Sequence, residues 1–408
     1  MGEILFLSHR IPFPPDRGDK IRSHHLLKAL AELAPVHVGT FAETGGDLAA
    51  ESDLAEVASS YRLVKRTRPL PLAGLDALAT GRPVSLAAFD NAALHQWVRE
   101  VLATRLIETI FVFSGQMGQY IPADFPGRVV IDLCDVDSAK FEAYGASGRT
   151  PRSWIDRREG VTLAREEERL ARRADTVMLV SEDEAELFRS RLHDADHVDL
   201  RAIRNGIDAA LFDPEAVAPH PELVEQPGPH LVFTGQMDYP PNIAAAERMA
   251  TAILPALRAN HPSATFHVVG RAPTGQVLAL EKRAGVRVWG EVPDVRPFLR
   301  AADLVVAPLD IARGIQNKVL EAMAMARPVL ASQEAATGID AEDGTHFALA
   351  STDAAMINQA GALLEDTAKA ASLAKAARDY VLTHQAWPAM LAPLAEIVMP
   401  EGGKRDAA

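Results

Sequence analysis

Arg313-Gly-Ile-Gln-Asn-Lys-Val-Leu-Glu-Ala-Met-Ala-Met-Ala-Arg-Pro-Val329 reads as a glycine-bearing loop, a short helix and the start of a strand. It follows the apolar run Leu304–Pro308. A helix that joins two successive strands returns the chain to the same side of the sheet, so the two strands run parallel. Glu321 is the only carboxylate in that helix, set among Val319, Leu320, Ala322, Met323 and Ala324. A carboxylate in an apolar setting is costly unless something hydrogen-bonds it. Ribose hydroxyls would do so. Lys318, in the first turn, adds charge to the free N–H groups at Gly314, Ile315, Gln316 and Asn317, which together suit a pyrophosphate. Without such a ligand, Glu321 complements the helix dipole and Lys318 is simply solvated.

The same strand–helix rhythm extends outward in both directions. Candidate strands are Ile4–Ser8, Val36–Phe41, Ile107–Ser114, Val129–Leu133 and Thr176–Ser181, then His230–Gly235, Thr265–Gly270, Val286–Gly290, Leu304–Pro308 and Pro328–Ala331. They lack strict alternation, as strands covered on both faces do. Amphipathic stretches such as Arg22–Leu33, Ala244–Ala259 and Val319–Ala326 lie between them. The chain of 408 residues exceeds one ordinary core. The proline-rich segment Asp213–Pro229 reads as an interdomain linker. The expected architecture is α/β, with two Rossmann-like doubly wound domains facing a cleft. Residues 1–212 form the first, joined by a C-terminal helix at 385–400, and residues 213–384 form the second. Open α/β sheets bind ligands beyond their strand C-termini.

A net charge of −13 argues against nucleic acid as the main partner. The single cysteine, Cys134, excludes an intramolecular disulfide and fits a cytoplasmic protein. The first ten residues lack a basic n-region and read as a strand, not a signal peptide. No apolar stretch reaches the ~18 residues of a membrane span.

At Gly314–Glu321 the chain resembles the donor-binding motif of glycosyltransferase family 4, whose fold is GT-B and whose reaction is retaining. In that family two glutamates stand eight positions apart before a Met-Ala-rich helix and a Pro-Val strand. The second is Glu321 here, while Arg313 stands at the first position. Asn205-Gly-Ile-Asp208 resembles the turn at the family's domain junction, and Thr234-Gly-Gln-Met-Asp-Tyr-Pro-Pro-Asn242 its second glycine-rich loop. Where that loop commonly carries Arg and Lys for the diphosphate, this chain has Gln236 and Asn242, and Lys318 is expected to supply the charge. Val268-Val-Gly-Arg-Ala-Pro273 and Trp289-Gly-Glu-Val-Pro-Asp294, with Gly270, Arg271 and Val292, resemble loops lining the nucleotide and sugar. Within the family the chain is most similar to bacterial enzymes associated with the exosortase/PEP-CTERM system. Arg10-Ile-Pro-Phe-Pro-Pro-Asp-Arg-Gly-Asp-Lys20, Met237–Asn242 and Gly314–Lys318 carry that similarity.

The resemblance implies a nucleotide-sugar donor, a saccharide or polyprenyl-linked acceptor and no metal or other cofactor. Gly235, together with Gly18, Asp19 and Lys20 of the N-terminal loop, would join the donor site; Lys20 and Arg22 would add charge there. Asp132-Leu-Cys-Asp-Val-Asp-Ser138 gathers three carboxylates after a strand, a candidate metal or acid/base cluster in which Asp135 and Asp137 are catalytic candidates alongside Lys318. The family's histidine after the preceding strand is replaced by Ser114. His9 flanks the N-terminal loop, and the adjacent His24 and His25 cannot face one side of a helix. Arg149, Arg152, Arg157, Arg158, Arg165, Arg169, Arg172 and Arg173 form a band mixed with acids. It reads as a salt-bridged solvated face or as a weak, peripheral contact with an anionic membrane. A non-catalytic scaffold and a nucleotide-sugar 2-epimerase remain as rival readings.

Overall fold

Runs that lack polar alternation fold as strands covered on both faces. In β1 (Glu3–Ser8) every residue after Glu3 is buried, and β2 (Val36–Ala42) is buried throughout. The computed structural model describes residues 2–146, 151–312 and 314–399, the side chains of 151 and 152 excepted. Residues Gly206–Ala389 form one unit, and the described residues before and after them form the other.

The first unit is built on β1, β2, β3 (Ser60–Lys65), β4 (Ile107–Phe113), β5 (Arg128–Cys134), β6 (Thr176–Leu179) and β7 (Leu200–Ala202). Their order is β3-β2-β1-β4-β5-β6-β7 and every pairing is parallel. The winding reverses between β1 and β4, the topological switch point. Four helices position its chemistry: α1 (Gly18–Leu33), α2 (Leu70–Thr80), α3 (Asp137–Ala146) and α4 (Pro151–Arg173). The second unit stacks β8 (His230–Thr234), β9 (Thr265–Val269), β10 (Val286–Gly290), β11 (Leu304–Ala307), β12 (Val329–Ala331) and β13 (Ala348–Leu349). Their order is β10-β9-β8-β11-β12-β13, again all parallel, with the switch between β8 and β11. Both units are Rossmann-like and doubly wound.

Several expectations give way to packing. β3, β7 and β13 were not among the candidate strands; they are edges, short or polar, with no continuous apolar run to mark them. Asp213–Pro229 is no free linker. It packs within the second unit, where Leu223 is buried and the His220 N–H donates to Pro297 O at 2.9 Å. The division falls at Asn205 and Gly206 because Ile207 N–H donates to Gln385 O and Trp387 N–H to Ile207 O. The helix expected at 385–400 is instead two turns, Trp387–Met390 and Leu394–Val398. Pro388 and Pro393 lack the N–H groups that a continuous helix would need. Only the second turn docks on the first unit, where Val398 O accepts from Thr109 Oγ1 at 2.8 Å; residue 400 lies outside the described residues. The helix expected at Ala244–Ala259 becomes α5 (Pro240–Arg248), a wide π turn at Met249–Ile253 and a last turn at Leu254–Leu257. Pro255 explains the widening, since it can neither donate nor tolerate the carbonyl four residues back. α6 (Asn317–Ala324) completes the second unit's chemistry.

One buried ion pair ties the first unit together. Arg22 on α1 donates through Nε to Asp132 Oδ2 at 2.7 Å, and neither side chain is more than 2% exposed. Its Nη1 reaches Ile203 O at 2.8 Å and Asn205 Oδ1 at 2.9 Å. Arg22→Met would leave Asp132 buried without its cation, holding only the Cys134 N–H at 3.0 Å. Removing one member of such a pair costs about 3–5 kcal/mol, so urea denaturation should show a loss of that order. The double change Arg22→Met with Asp132→Leu should recover most of it. A single variant as stable as the parent would sink the pair as an organising contact.

Candidate functional site

In the second unit the site grows from two loops at the switch point. After β8 the chain turns through Gly235 and Gln236 into α5; after β11 it turns through Gly314, Ile315 and Gln316 into α6. Gly235 has φ of 157° and Gly270, after β9, has φ of 153°. A Cβ on Gly270 would sit 1.6 Å from Gly235 O, so only glycine lets the two loops meet. A Cβ on Gly235 would lie 2.9 Å from Asn242 Nδ2 and 3.1 Å from Lys318 Nζ. Into that space Lys318, second residue of α6, extends its ammonium and donates to Asn242 Oδ1. The ammonium also lies 4.7 Å from the Phe233 ring centroid. Asn242 is oriented by its own Nδ2 bond to Gln236 O at 2.8 Å. Gln236 Oε1 accepts from Arg271 Nη2 at 2.9 Å.

Burial pushes the Lys318 pKa down to about 8 against the opposing pull of Glu321. The same burial raises the Glu321 carboxyl against the pull of Lys318. No described residue donates a hydrogen bond to Glu321 or forms an ion pair with it. Thr234 Oγ1, at the end of β8, is likewise buried without a protein partner. Gly314 has φ of 64° with open space on its Cα, and Gln316 Nε2 donates back to Gly314 O at 3.1 Å. Asn317 opens α6. Val292 is half-buried against the core after β10. Arg313 lies outside the described residues. Gly235, Asn242, Gly270 and Lys318 therefore meet, Gln236 and Arg271 join them, and Val292 stands on the neighbouring loop.

The first unit treats its charges differently. Gly18 opens α1 with nothing within 4 Å of its added Cβ. Asp19 accepts from Arg10 Nη1 at 2.6 Å and Arg17 Nε at 2.9 Å. Burial opposes its ionisation, but bonds from His9, Arg10 and Arg17 hold the carboxyl well below the usual range. Lys20, expected to add charge to a donor site, is buried and committed to Asp47 at 2.6 Å. Arg22, expected to do the same, is spent on Asp132. The Asp132–Asp137 cluster thereby splits. Asp132 is structural, while Asp135 and Asp137 share Lys140 at 2.7 and 3.4 Å. Burial raises the Asp137 carboxyl, with Lys140 opposing. Among the described residues no group of three or more His, Cys, Asp or Glu side chains could hold a metal ion.

Sequence reasoning missed a relay across the same edge. Arg10 reaches Glu43 at 2.6 Å, and Glu43 in turn accepts from Arg66 at 2.6 Å. These residues follow β1, β2 and β3, so the signal was a charged residue one or two places beyond each strand, legible only once the strand order is known. His9 stacks on Phe113 with centroids 5.8 Å apart and approaches Asp19 at 3.3 Å. Ser114, after β4, adopts φ of 76°, an uncommon conformation for a residue with a Cβ. In the arginine band, Arg169 and Arg172 pair with Glu166 and Glu168 on a solvated face. Arg149 and the side chain of Arg152 lie outside the described residues.

Comparison with known proteins gives the fold a name. Residues 228–366 match the family model for group 1 glycosyl transferases. No curated protein matches the chain. Among solved structures, Anabaena Alr3699/HepE in complex with UDP and glucose is similar at 18% identity, over 97% of this chain and 99% of that one, with a TM-score of 0.57. Sucrose-phosphate synthase from Thermosynechococcus elongatus is similar at 18% identity, over 97% and 98%, with a TM-score of 0.57. WaaG, a glycosyltransferase involved in lipopolysaccharide biosynthesis, is similar at 15% identity, over 97% and 99%, with a TM-score of 0.54. At these identities the likeness establishes the fold, which is GT-B.

Lys318 makes a measurable claim on stability. Its folded pKa is about 8, and the unfolded chain has the ordinary value of 10.5. Between those values the unfolded state holds a proton that the folded state has lost, so stability should rise with pH there. The slope for one proton reaches about 1.4 kcal/mol per pH unit. Denaturation of the ligand-free protein and of Lys318→Met from pH 7 to 10 should show the rise in the parent alone. Parallel curves would mean that the ammonium is not held in a desolvated position.

Proposed function

We propose that the chain is a glycosyltransferase that takes a sugar from a nucleoside-diphosphate donor held by the second unit. One observation carries this reading: Lys318 and Glu321 lie one helical turn apart on α6, desolvated, with no ion partner and, for Glu321, no hydrogen-bond donor. A cation at a helix N-terminus beside glycine loops suits a diphosphate, and a buried acceptor one turn further suits a pair of ribose hydroxyls. The match to group 1 glycosyl transferases spans this segment. UDP is the first donor to test, since structurally similar HepE binds UDP and glucose.

Transfer breaks the bond between the anomeric carbon and the diphosphate oxygen, and negative charge grows on the departing phosphate. Lys318 and the N–H groups of Gly314, Ile315, Gln316 and Asn317 would stabilise that charge. The resemblance to family 4 supports retention, in which the acceptor hydroxyl arrives on the face the diphosphate leaves. The closer resemblance to exosortase-associated enzymes supports a saccharide or polyprenyl-linked acceptor in exopolysaccharide synthesis. Asp135 and Asp137, at the carboxyl edge of the first sheet, are the groups in this reading that would meet the acceptor's proton.

The test is thermal stabilisation by UDP, GDP, ADP and their sugars. A ligand at a hundredfold excess over its Kd stabilises by about 2.7 kcal/mol. One nucleotide class should raise the melting temperature of the parent. Glu321→Ala should weaken that binding about tenfold, the value of a hydrogen bond to a charged group. A bound diphosphate favours protonated Lys318, so affinity should fall as pH rises through about 8, and Lys318→Met should lose that dependence. Silence across the panel would sink the donor site. Binding without transfer to any saccharide acceptor would favour the scaffold reading, and conversion of the donor sugar alone would favour the epimerase.

A further inference from the structure

At the edge of the second sheet opposite the donor loops lies a cavity of about 760 Å³. Pro229, Asp303, Arg327 and Pro328 line it, each standing just before β8, β11 or β12, whereas the donor loops follow β8 and β11. Leu363 and Leu364, at the end of α7 (Asp353–Glu365), and Leu223 are part of its apolar lining. The next helix, α8 (Thr367–His384), contributes Ala370, Ala371 and Ala374. Residues three and four apart share one helical face. Alanine at all three positions leaves that face short of the sheet edge, and the volume falls within the ~300–1,000 Å³ of small-molecule sites.

Five charged residues line the cavity, and three of them are already paired. Lys375 meets Asp379 at 2.7 Å, and Arg378 meets Asp213 at 3.2 Å. Arg327 and Asp303 have no ion partner among the described residues. The Arg327 guanidinium is held by carbonyls: Nε donates to Met325 O and Ala326 O, and Nη1 to Arg300 O at 3.1 Å and Ala302 O at 3.2 Å. These neutral acceptors fix the group without neutralising it, and Nη2 has no partner among the described residues. Asp303 is fixed through one oxygen, Oδ2, which accepts from the His230 N–H at 2.7 Å. Burial pushes the Arg327 pKa down and Asp303 opposes it, so the two charges are near each other without touching.

We propose that this cavity binds a small zwitterion with an apolar side chain, an α-amino acid of the leucine type. Its carboxylate would take a charge-assisted bond from Arg327 Nη2, its ammonium would face Asp303, and its side chain would lie against the alanines of α8. An anion alone would meet Arg327 but be repelled by Asp303, and a cation alone would suffer the reverse. Two opposite charges that are close but not in contact suit a ligand whose own opposite charges stand on a single carbon. The site is separate from the donor loops, and its occupancy does not depend on which nucleotide they hold.

The test is calorimetric titration of the full chain, without nucleotide or sugar, with L-leucine. The comparison ligands are 4-methylpentanoate, which lacks the ammonium, isopentylamine, which lacks the carboxylate, and glycine, which lacks the side chain. Leucine should bind, and each comparison ligand should bind at least tenfold more weakly, about the value of one bond to a charged group. Asp303→Asn keeps an oxygen for the His230 N–H and so keeps the fold. It should weaken leucine about tenfold while binding 4-methylpentanoate more tightly than the parent does. Ala371→Trp, at an exposed position of the lining, should abolish leucine binding with an unchanged melting temperature. Glu321→Ala should bind leucine as the parent does, which separates this cavity from the donor site. The proposal is overturned if leucine does not bind, if 4-methylpentanoate binds the parent as tightly as leucine, or if Asp303→Asn and Ala371→Trp leave the leucine affinity unchanged.

Discussion

A desolvated ammonium with no carboxylate in ion-pair contact organises the second unit. Lys318 reaches only a neutral amide, Asn242, and the face of Phe233. The surrounding geometry follows from making room for it. Gly235 must lack a Cβ, Gly270 must approach Gly235 closely enough that no side chain fits between them, and Asn242 must be fixed by Gln236 so that its oxygen faces the cation. β8, the loop after β9 and the helices α5 and α6 together shape the space around one atom. Folding such a charge out of water is unfavourable unless it gains something when a ligand arrives. That cost is the physical reason for treating the cluster as a binding site and not as scaffolding.

The first unit shows the opposite policy. Arg22 is paired with Asp132, Lys20 with Asp47, and Arg10 with Asp19 and Glu43. A cation already paired has little left to offer a phosphate, because a new anion must displace or crowd the old one. The N-terminal loop reads in sequence as a source of positive charge, and its cations are internal ties. What remains open there is backbone, at Gly18, and the two carboxylates on Lys140. The anion-binding work therefore falls to the second unit.

Sequence carried the parallel strands and the loops after them, because a strand buried on both faces must be uniformly apolar and its chemistry must sit where it ends. Gly235, Gly270, Asn242, Lys318 and Glu321 were legible for that reason. Partners were not. Asp132 and Arg22 are 110 residues apart, and nothing local distinguishes a carboxylate in an ion pair from one that binds a metal. β3, β7 and β13 were missed because they are short or polar and carry no continuous apolar run, and the C-terminal helix was misread because Pro388 and Pro393 break a pattern that composition alone supports. Exposure was invisible as well. A run such as Leu70-Pro-Leu-Ala-Gly-Leu-Asp-Ala-Leu78 looks like core until its alanines are seen to do the packing.

The arginine band shows how local reading can be correct about the surface and silent about the helix beneath it. Arg169 and Arg172 do form exposed pairs on α4, and such pairs contribute little. The acids of the same helix matter more. Glu159 is buried and accepts from Val84 N, Ser85 N and Ser85 Oγ. Glu167 accepts from Ser138 N at 2.9 Å and from Ser138 Oγ, and burial pushes it up to about 7 against those bonds. Each carboxylate satisfies the open N–H groups at the start of another helix, which is the most favourable place for an acid. Through Glu167 the helix fixes α3, with Asp137 and Lys140 on its first turn. Through Arg158, which donates to Ala77 O and to Arg82 O, it fixes α2 and its exposed leucines. One helix thus sets the position of the candidate acids at the sheet edge and of α2 together, so a change in α4 that loosens one should loosen the other.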